Sequence, residues 1–596
     1  MSILTRRAVR IAAVYLGLSL AFCWPLFAVP NGVGIRDWDV HLFFYGAVLK
    51  NFVEYGQLPF WNPWYCGGNV LWQNPQVALL SPAYPLVAIV GLPLAMKLTI
   101  ALHYFAGLVA MHLLLTRIFG LRFLPLIVFL GCVFTFSGAL AMHLAVGHAN
   151  FLPAFYLPFG LFFFCRAIKS GALRDGVIAG GVLALMILNG GLHIVPMAGF
   201  AIAVMGVWSA VATRTWRPLV MTAVVALALV ALAAPKLVPV ARYVTSPQFW
   251  DTRTATGHPD LTTVEMLARV YLDPYQTRGL KLDGQVHGWY EYGNYVGLPV
   301  VLLFAASVVS ILKADRPDGR WFGAGLAVTT LVLLAMSAGE FWSLAPATIA
   351  THIPLLSDFR IPSRYTIVVG LFGVATVAWG LRSTIAEAPR TPRQRTLLLL
   401  ICVLAVVDLV VRNQAQLRGV FGQRPIAGGF SLLGGPDTLD VDHDPDPYRP
   451  GSPMFSAVMG DRSFFSCYEV MQLRRTADPN HPLVASDGGV KLVASKFSPN
   501  RVEFSVVGGR EPGRVRLNQN FSTGWSSDAG QVVPDPATGQ PSVVLVPGQT
   551  GRFAFRFVPP GLFPGLLCGL VGVAGAALVW RRRLGEPVAA ARLDIS

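Results

Sequence analysis

In the stretch "NGVGIRDWDVHLFFYGAVLKN", Asp37 and Asp39 flank Trp38 and sit just ahead of His41. Carboxylates in this arrangement suit two kinds of chemistry. One of them can take a proton from an attacking hydroxyl as a general base, and the two together can offer oxygen ligands to a hard cation if His41 and Glu291 converge on them. The competing reading is structural, because Asp is common at helix starts and Asp39 can cap the segment that follows. A second set is cationic. Arg360 and Arg364 in "SDFRIPSRY" carry planar forks that meet phosphate oxygens in pairs, with Arg242 and Lys236 behind them. Here too a plain role competes, since arginines at a span end also anchor a helix at the interface and "IPSR" makes a good helix start.

The elements that must position these groups are membrane helices. With 54% hydrophobic residues, 13% charged and a mean hydropathy of +0.55, the composition excludes a soluble globular chain. Apolar stretches long enough to cross a bilayer number about twelve. The segment from Leu79 to Leu94 is apolar too, but it carries Pro82, Pro85 and Pro93, so it is expected to be re-entrant or interfacial. Clusters such as Arg6, Arg7 and Arg10, then Arg166, Lys169 and Arg174, then Arg581 to Arg583 fall on one side if that segment does not cross. Both termini are then cytoplasmic, and the first helix is a retained anchor. The expected location is a cytoplasmic membrane, with the chemistry facing outward. The net charge of +16 follows from topology and anionic lipid, and no basic, aromatic-interleaved surface suggests nucleic acid.

The outer side then collects the polar inventory: His41, Trp61, Asn62, His148, Asn150, His193 and Glu291, set among Trp, Tyr, Pro and Gly. Such loops suit a shaped substrate cavity; solvated loops and hydrogen-bonded histidines at span ends are the bland alternative. The domains expected are a transmembrane part over 1–412 with a long first outer loop (31–95), an extracytoplasmic mainly-β part over 413–560, and a final helix with a cytoplasmic tail over 561–596. Short alternating runs punctuated by Gly and Pro in the second part point to a small β-sandwich. The acidic run "GPDTLDVDHDPDPYRPG" ahead of it lacks the Gly and terminal Glu of an EF-hand loop. Of seven cysteines, Cys66 and Cys467 alone face outward and can pair in an oxidising compartment.

The Asp-bearing first outer loop, "PFWNPWYCGGN", "GHANFLPAFYLPFGL", "EYGNYVGLPVVLL", "FRIPSRY" and "SPNRVEFSV" with "NFSTGWS" occur in an order that resembles the YfhO-like bacterial membrane proteins, a branch of the GT-C glycosyltransferase superfamily. The resemblance implies a polyprenyl-phosphate-linked sugar donor, transfer to a cell-envelope glycan acceptor (a polysaccharide, a teichoic-acid-like polymer or a glycolipid) outside the membrane, and a catalytic carboxylate in the first outer loop, which maps onto Asp37 or Asp39. A divalent metal stays open. The rival classes are a lipid or oligosaccharide transporter, for which Asp408 is the nearest mid-span charge, and a non-enzymatic envelope scaffold.

Overall fold

The computed structural model describes residues 3–251, 264–275, 277, 279–280, 287–313, 317–353, 361–385, 391–424, 453–463, 465 and 471–581. Arg360, Cys467 and the acidic run over 435–451 lie outside them. Among the described residues nine helices are long and apolar enough to cross a membrane: Arg6–Phe27, Leu92–Ile118, Leu124–Val146, Ala149–Ser170, Ile194–Thr213, Arg217–Val244, Pro362–Arg382, Pro392–Leu417 and Leu562–Arg581. Three of the expected spans are shorter. Leu298–Leu312 and Trp321–Ser337 are apolar but fall below full length, and Leu173–Leu188 has 16 residues, about 24 Å of rise against roughly 30 Å of hydrocarbon. The proline-bearing segment around Leu86 forms the eight-residue helix Ala83–Val90, stopped by Gly91 at φ 73°. At about 12 Å it is too short to cross.

Burial sorts the spans by place. The Leu124–Val146 window is 83% buried and Pro362–Arg382 78%, whereas Pro392–Leu417 is 11% and Leu562–Arg581 17%. The first pair therefore forms the centre of the bundle and the second pair faces lipid. Helix Arg217–Val244 holds the loop that follows helix Asp37–Val53 in place through its prolines. Pro239 has no N–H to give the carbonyl four residues back, and the Trp72 indole donates to that Pro235 oxygen instead, at 2.8 Å. Buried Lys236 donates from Nζ to the carbonyls of Trp72, Asn74 and Val77 at 2.7, 2.6 and 3.2 Å.

The C-terminal part is one six-stranded sheet where a two-sheet sandwich was expected. Its strands are β1 (Val484–Lys496), β2 (Arg501–Leu517), β3 (Trp525–Ser527), β4 (Val533–Pro534), β5 (Pro541–Leu545) and β6 (Gly551–Phe557). The 17-residue β2 explains the difference. Along one edge it pairs with β1, and along the other its first half pairs with β6 and its second half with β5. A strand that changes partner midway keeps all its neighbours in one bent sheet.

This sheet is joined to the same loop. Trp61 Nε1 donates to Gln519 Oε1 at 2.8 Å, and its ring packs on Phe557 and Trp525 with centroids 4.5 and 5.1 Å away. Asn520 Nδ2 donates to the carbonyls of Cys66 and Gly68. Cys66 is disulfide-bonded. In front of the sheet, a short helix not expected from the sequence, Pro453–Met459, packs on helix Asp37–Val53.

Candidate active site

The chain enters helix Asp37–Val53 through a tight turn. Val33 and Ile35 donate backbone N–H to Gln423 and Val420 at 2.8 and 3.1 Å, and Trp38 N–H closes the turn on Ile35 O at 3.2 Å. The turn lies directly against Gly147. A Cβ there would come within 2.2 Å of the Trp38 nitrogen and 2.6 Å of the Asp37 carbonyl carbon, and φ is 105°, so both the close approach and the backbone conformation require glycine. That contact brings His148 beside Asp37.

From Asp37 a chain of polar side chains runs inward. His148 Nε2 stands 3.2 Å from Asp37 Oδ2, and His148 Nδ1 stands 2.8 Å from His143 Nδ1. His143 Nε2 is 3.9 Å from Glu291 Oε2, and both Glu291 oxygens accept from Arg364, from Nε at 2.8 Å and Nη2 at 2.7 Å. The elements that supply these groups are tied to one another. Glu291 ends the 3-10 turn Trp289–Glu291 and Arg364 lies in the turn Pro362–Tyr365, while Asn294 donates to the Thr366 carbonyl at 3.0 Å and accepts from Ala139 N–H at 3.2 Å. Phe151 stacks on His143 at 4.2 Å and lies under the Arg364 guanidinium at 5.2 Å.

The surroundings shift the loop groups. Burial alone raises the Glu291 carboxyl, but Arg364, by charge and by hydrogen bonding, and then His143 and His148 hold it well below the usual carboxylate range. Burial lowers His41 to about 4, with Asp37 opposing and His148 adding to the drop. The Tyr290 hydroxyl is raised by burial and by Glu291 and Asp37, against Arg364 and Arg36.

Of the residues singled out in the sequence, Asp37, His41, His148, Glu291 and Arg364 come together, and buried Asn150 adjoins them in the turn Ala149–Tyr156. The others go elsewhere. Asp39 is buried, and its two oxygens accept backbone N–H from Met454 and Phe455 at 3.1 and 2.9 Å, so it caps the helix Pro453–Met459. Burial pushes its carboxyl up to about 7, with those two N–H groups pulling the other way. Lys236 is spent on the three loop carbonyls, and Arg242 is exposed beside Gly561 at the start of the last span. Trp61 and Asn62 belong to a two-residue ladder with Asn69 and Val70 under the β-sheet. His193 is half-buried at the start of helix Ile194–Thr213. Residues the sequence reading did not assign to the site are Tyr290, Phe151 and Arg36. Adjacency was the available signal, since Tyr290 precedes Glu291 and Arg36 precedes Asp37.

A divalent cation fits this donor set. His143, His148 and Glu291 each offer one ligand atom, all within 4.8 Å of one another. If His148 gives its Nε2 proton to Asp37, its Nδ1 accepts from His143, which then turns an Nε2 lone pair toward Glu291. Two electron-rich atoms 3.9 Å apart are repelled unless a proton or a cation lies between them, and imidazole and carboxylate are both ligands for such ions.

No protein-family model and no curated protein sequence matches this chain. Among solved structures, arabinofuranosyltransferase AftD from Mycobacteria aligns at a TM-score of 0.44 with 13% identity, over 69% of this chain and 27% of that one. The Archaeoglobus fulgidus oligosaccharyltransferase aligns at 0.39 with 11% identity, over 69% and 55%. The archaeal oligosaccharyltransferase AglB from Archaeoglobus fulgidus, in complex with an inhibitory peptide and a dolichol-phosphate, aligns at 0.40 with 11% identity, over 74% and 58%. The chain thus spans about a quarter of AftD and a little over half of the archaeal enzyme.

Proposed function

We propose that the protein is a membrane glycosyltransferase of the GT-C kind, moving a sugar from a polyprenyl-phosphate donor to a cell-envelope acceptor on the extracytoplasmic face of the bacterial cytoplasmic membrane. The observation that carries the reading is the convergence of Asp37, His148, His143, Glu291 and Arg364 from four separate stretches of chain at the ends of the most buried spans. Helix mouths with a carboxylate, imidazoles and a fixed guanidinium are equipped for proton removal beside an anion. The disulfide at Cys66 in the same loop favours an oxidising, outer compartment.

In this reading Asp37 accepts the proton of the acceptor hydroxyl as its oxygen bonds to the anomeric carbon. The bond from that carbon to the phosphate oxygen breaks, and the lipid phosphate departs with the electron pair. His148 orients the Asp37 carboxylate through the 3.2 Å contact, and His143 holds His148 in turn. Glu291 and Arg364 fix that end of the chain without taking part in bond making. A divalent ion held by His143 Nε2 and Glu291, with His148 committed to Asp37 and His143, would supply positive charge to offset the departing phosphate. A proton-relay transporter is less favoured, because Asp408 is tied to Tyr295 Oη at 2.5 Å and faces Arg412 at 3.6 Å.

The test is Asp37→Asn. Purified wild type should transfer labelled pentose or hexose from polyprenyl-phosphate donors to envelope glycan, and the variant should lose about 100- to 10,000-fold while keeping its fold and donor affinity. Wild-type turnover in folded Asp37→Asn protein would falsify the assignment.

A further inference from the structure

Two spans that carry site residues at one end carry cations at the other. Ala149–Ser170 begins just after His148 and has Lys169 in its last turn. Pro362–Arg382 holds Arg364 in its first turn and closes on Arg382. Spans of 22 and 21 residues rise about 30 Å, so Lys169 and Arg382 stand a membrane thickness away from the candidate site.

The two cations meet on one ring. Lys169 Nζ lies 5.2 Å from the centre of the Trp379 indole and 4.5 Å from that of Phe322, and the Arg382 guanidinium lies 3.3 Å from the same indole. The rings are firmly held. Trp379 is 6% exposed and packs on Phe322 at 4.7 Å, and Gly323 makes room for it, since a Cβ there would come within 2.2 Å of Trp379 Cδ1. An aromatic face attracts a cation but brings no negative charge to match it. Among the described residues no carboxylate pairs with Lys169 and no oxygen accepts from its ammonium; the ionisable groups that act on it are the Cys165 thiol and Arg382, which repels it. The acid of the next helix is committed elsewhere, because buried Asp175 accepts from Arg166 Nε at 3.2 Å.

Two cations on one aromatic floor suit an anion, and depth says which kind. Trp321, beside Phe322, is 47% exposed, and its carbonyl accepts from the Trp208 indole at 2.9 Å. Exposed tryptophan at a span end marks the headgroup level of a bilayer, so an anion on this floor lies at the depth of a lipid phosphate. We propose that Lys169, on the floor formed by Trp379 and Phe322, binds the headgroup of an anionic phospholipid in the leaflet opposite Asp37. Its ammonium offers the phosphate three N–H donors, and Arg382 adds to the local field. The bound headgroup fixes the far ends of the two spans whose near ends hold His148 and Arg364. The assignment does not depend on the transferase reading.

The experiment uses the full chain in detergent and titrates phosphatidylglycerol, phosphatidylcholine and inorganic phosphate against wild type, Lys169→Gln, Lys169→Arg and Arg217→Gln, reading binding by native mass spectrometry together with the thermal midpoint. Exposed Arg217 starts helix Arg217–Val244 at the same end of the bundle and reports the diffuse attraction of basic residues for anionic lipid. Wild type should bind phosphatidylglycerol more tightly than phosphatidylcholine and gain thermal stability from it. Lys169→Gln should keep the wild-type midpoint without lipid, since no described acid pairs with Lys169, and should weaken phosphatidylglycerol about 5-fold, as expected for one basic side chain at a membrane surface. Phosphatidylcholine binding should not change, Lys169→Arg should retain the phosphatidylglycerol affinity, and Arg217→Gln should stay near wild type. Equal losses in Lys169→Gln and Arg217→Gln would overturn the site in favour of diffuse surface charge, and so would an unchanged phosphatidylglycerol affinity in Lys169→Gln. Inorganic phosphate binding to wild type as tightly as phosphatidylglycerol would overturn the lipid as its occupant.

Discussion

Arg364→Met should destabilise the protein far more than its position at a span end suggests. The Glu291 side chain it pairs with is 3% exposed and Arg364 itself 17%, so water cannot replace the lost partner. Removing one member of a buried, doubly hydrogen-bonded pair typically costs about 3–5 kcal/mol, because the survivor keeps its desolvation penalty without compensation. Glu291→Gln should cost a similar amount from the other side. The double variant leaves no uncompensated charge and should lie well above the sum of the two, which makes a double-mutant cycle in SDS titrations of purified protein the suitable assay. The dependence on pH has a defined sign. The folded-state value of Glu291 is depressed, so its contribution is fully present above the unfolded value of about 4.3 and is lost as pH falls toward the folded one. The gap between wild type and Glu291→Gln should therefore close only in acid. Losses below about 1 kcal/mol in both single variants, the range of an exposed pair, would show that the pair is solvated and that Arg364 is available for other work.

Asp39→Asn should behave oppositely with pH. The folded-state carboxyl is raised to about 7, so its contribution is complete below the unfolded value near 4 and lost as pH rises through 7; the stability gap to wild type should narrow between pH 5 and pH 8, and a widening gap would reverse the assigned shift. For sidedness, cysteines placed at exposed Ser526 and Thr391 should separate in intact cells: the first should react with a membrane-impermeant thiol reagent and the second should not, and the opposite pattern would invert the topology.

Hydrophobicity was legible because the bilayer imposes a simple rule on it, and the short helix Ala83–Val90 follows from three prolines read against a thickness. The sheet was legible in its strands but not in its pairing. Alternation shows that residues 501–517 extend, yet nothing in the alternation says that one strand serves two partners on the same edge. Lys236 misled for a related reason. A lysine in an apolar run suggests a ligand, whereas this one answers the backbone of a loop about 160 residues away, and only tertiary structure supplies those carbonyls. Arg36 was overlooked beside Asp37 because arginine gives no signal of the tight turn it occupies at φ 54°; glycine at that position would have.

The two aspartates that opened the question part company through helix geometry. At 3.6 residues per turn, positions two apart point about 200° away from each other, so Asp37 and Asp39 at the start of Asp37–Val53 cannot face one site while both are helical. A pair of carboxylates at this spacing is more suited to joining two things than to chelating one. Here Asp37 faces the histidines and Asp39 faces the N–H groups of Met454 and Phe455, some 415 residues further along. The same turn of helix therefore fixes Asp37 against the bundle and the C-terminal part against Asp37. A change that loosens the helix Pro453–Met459 acts on Asp39 first and reaches Asp37 through two residues of rigid backbone, which gives the C-terminal part a physical route to the candidate site without contributing any side chain to it.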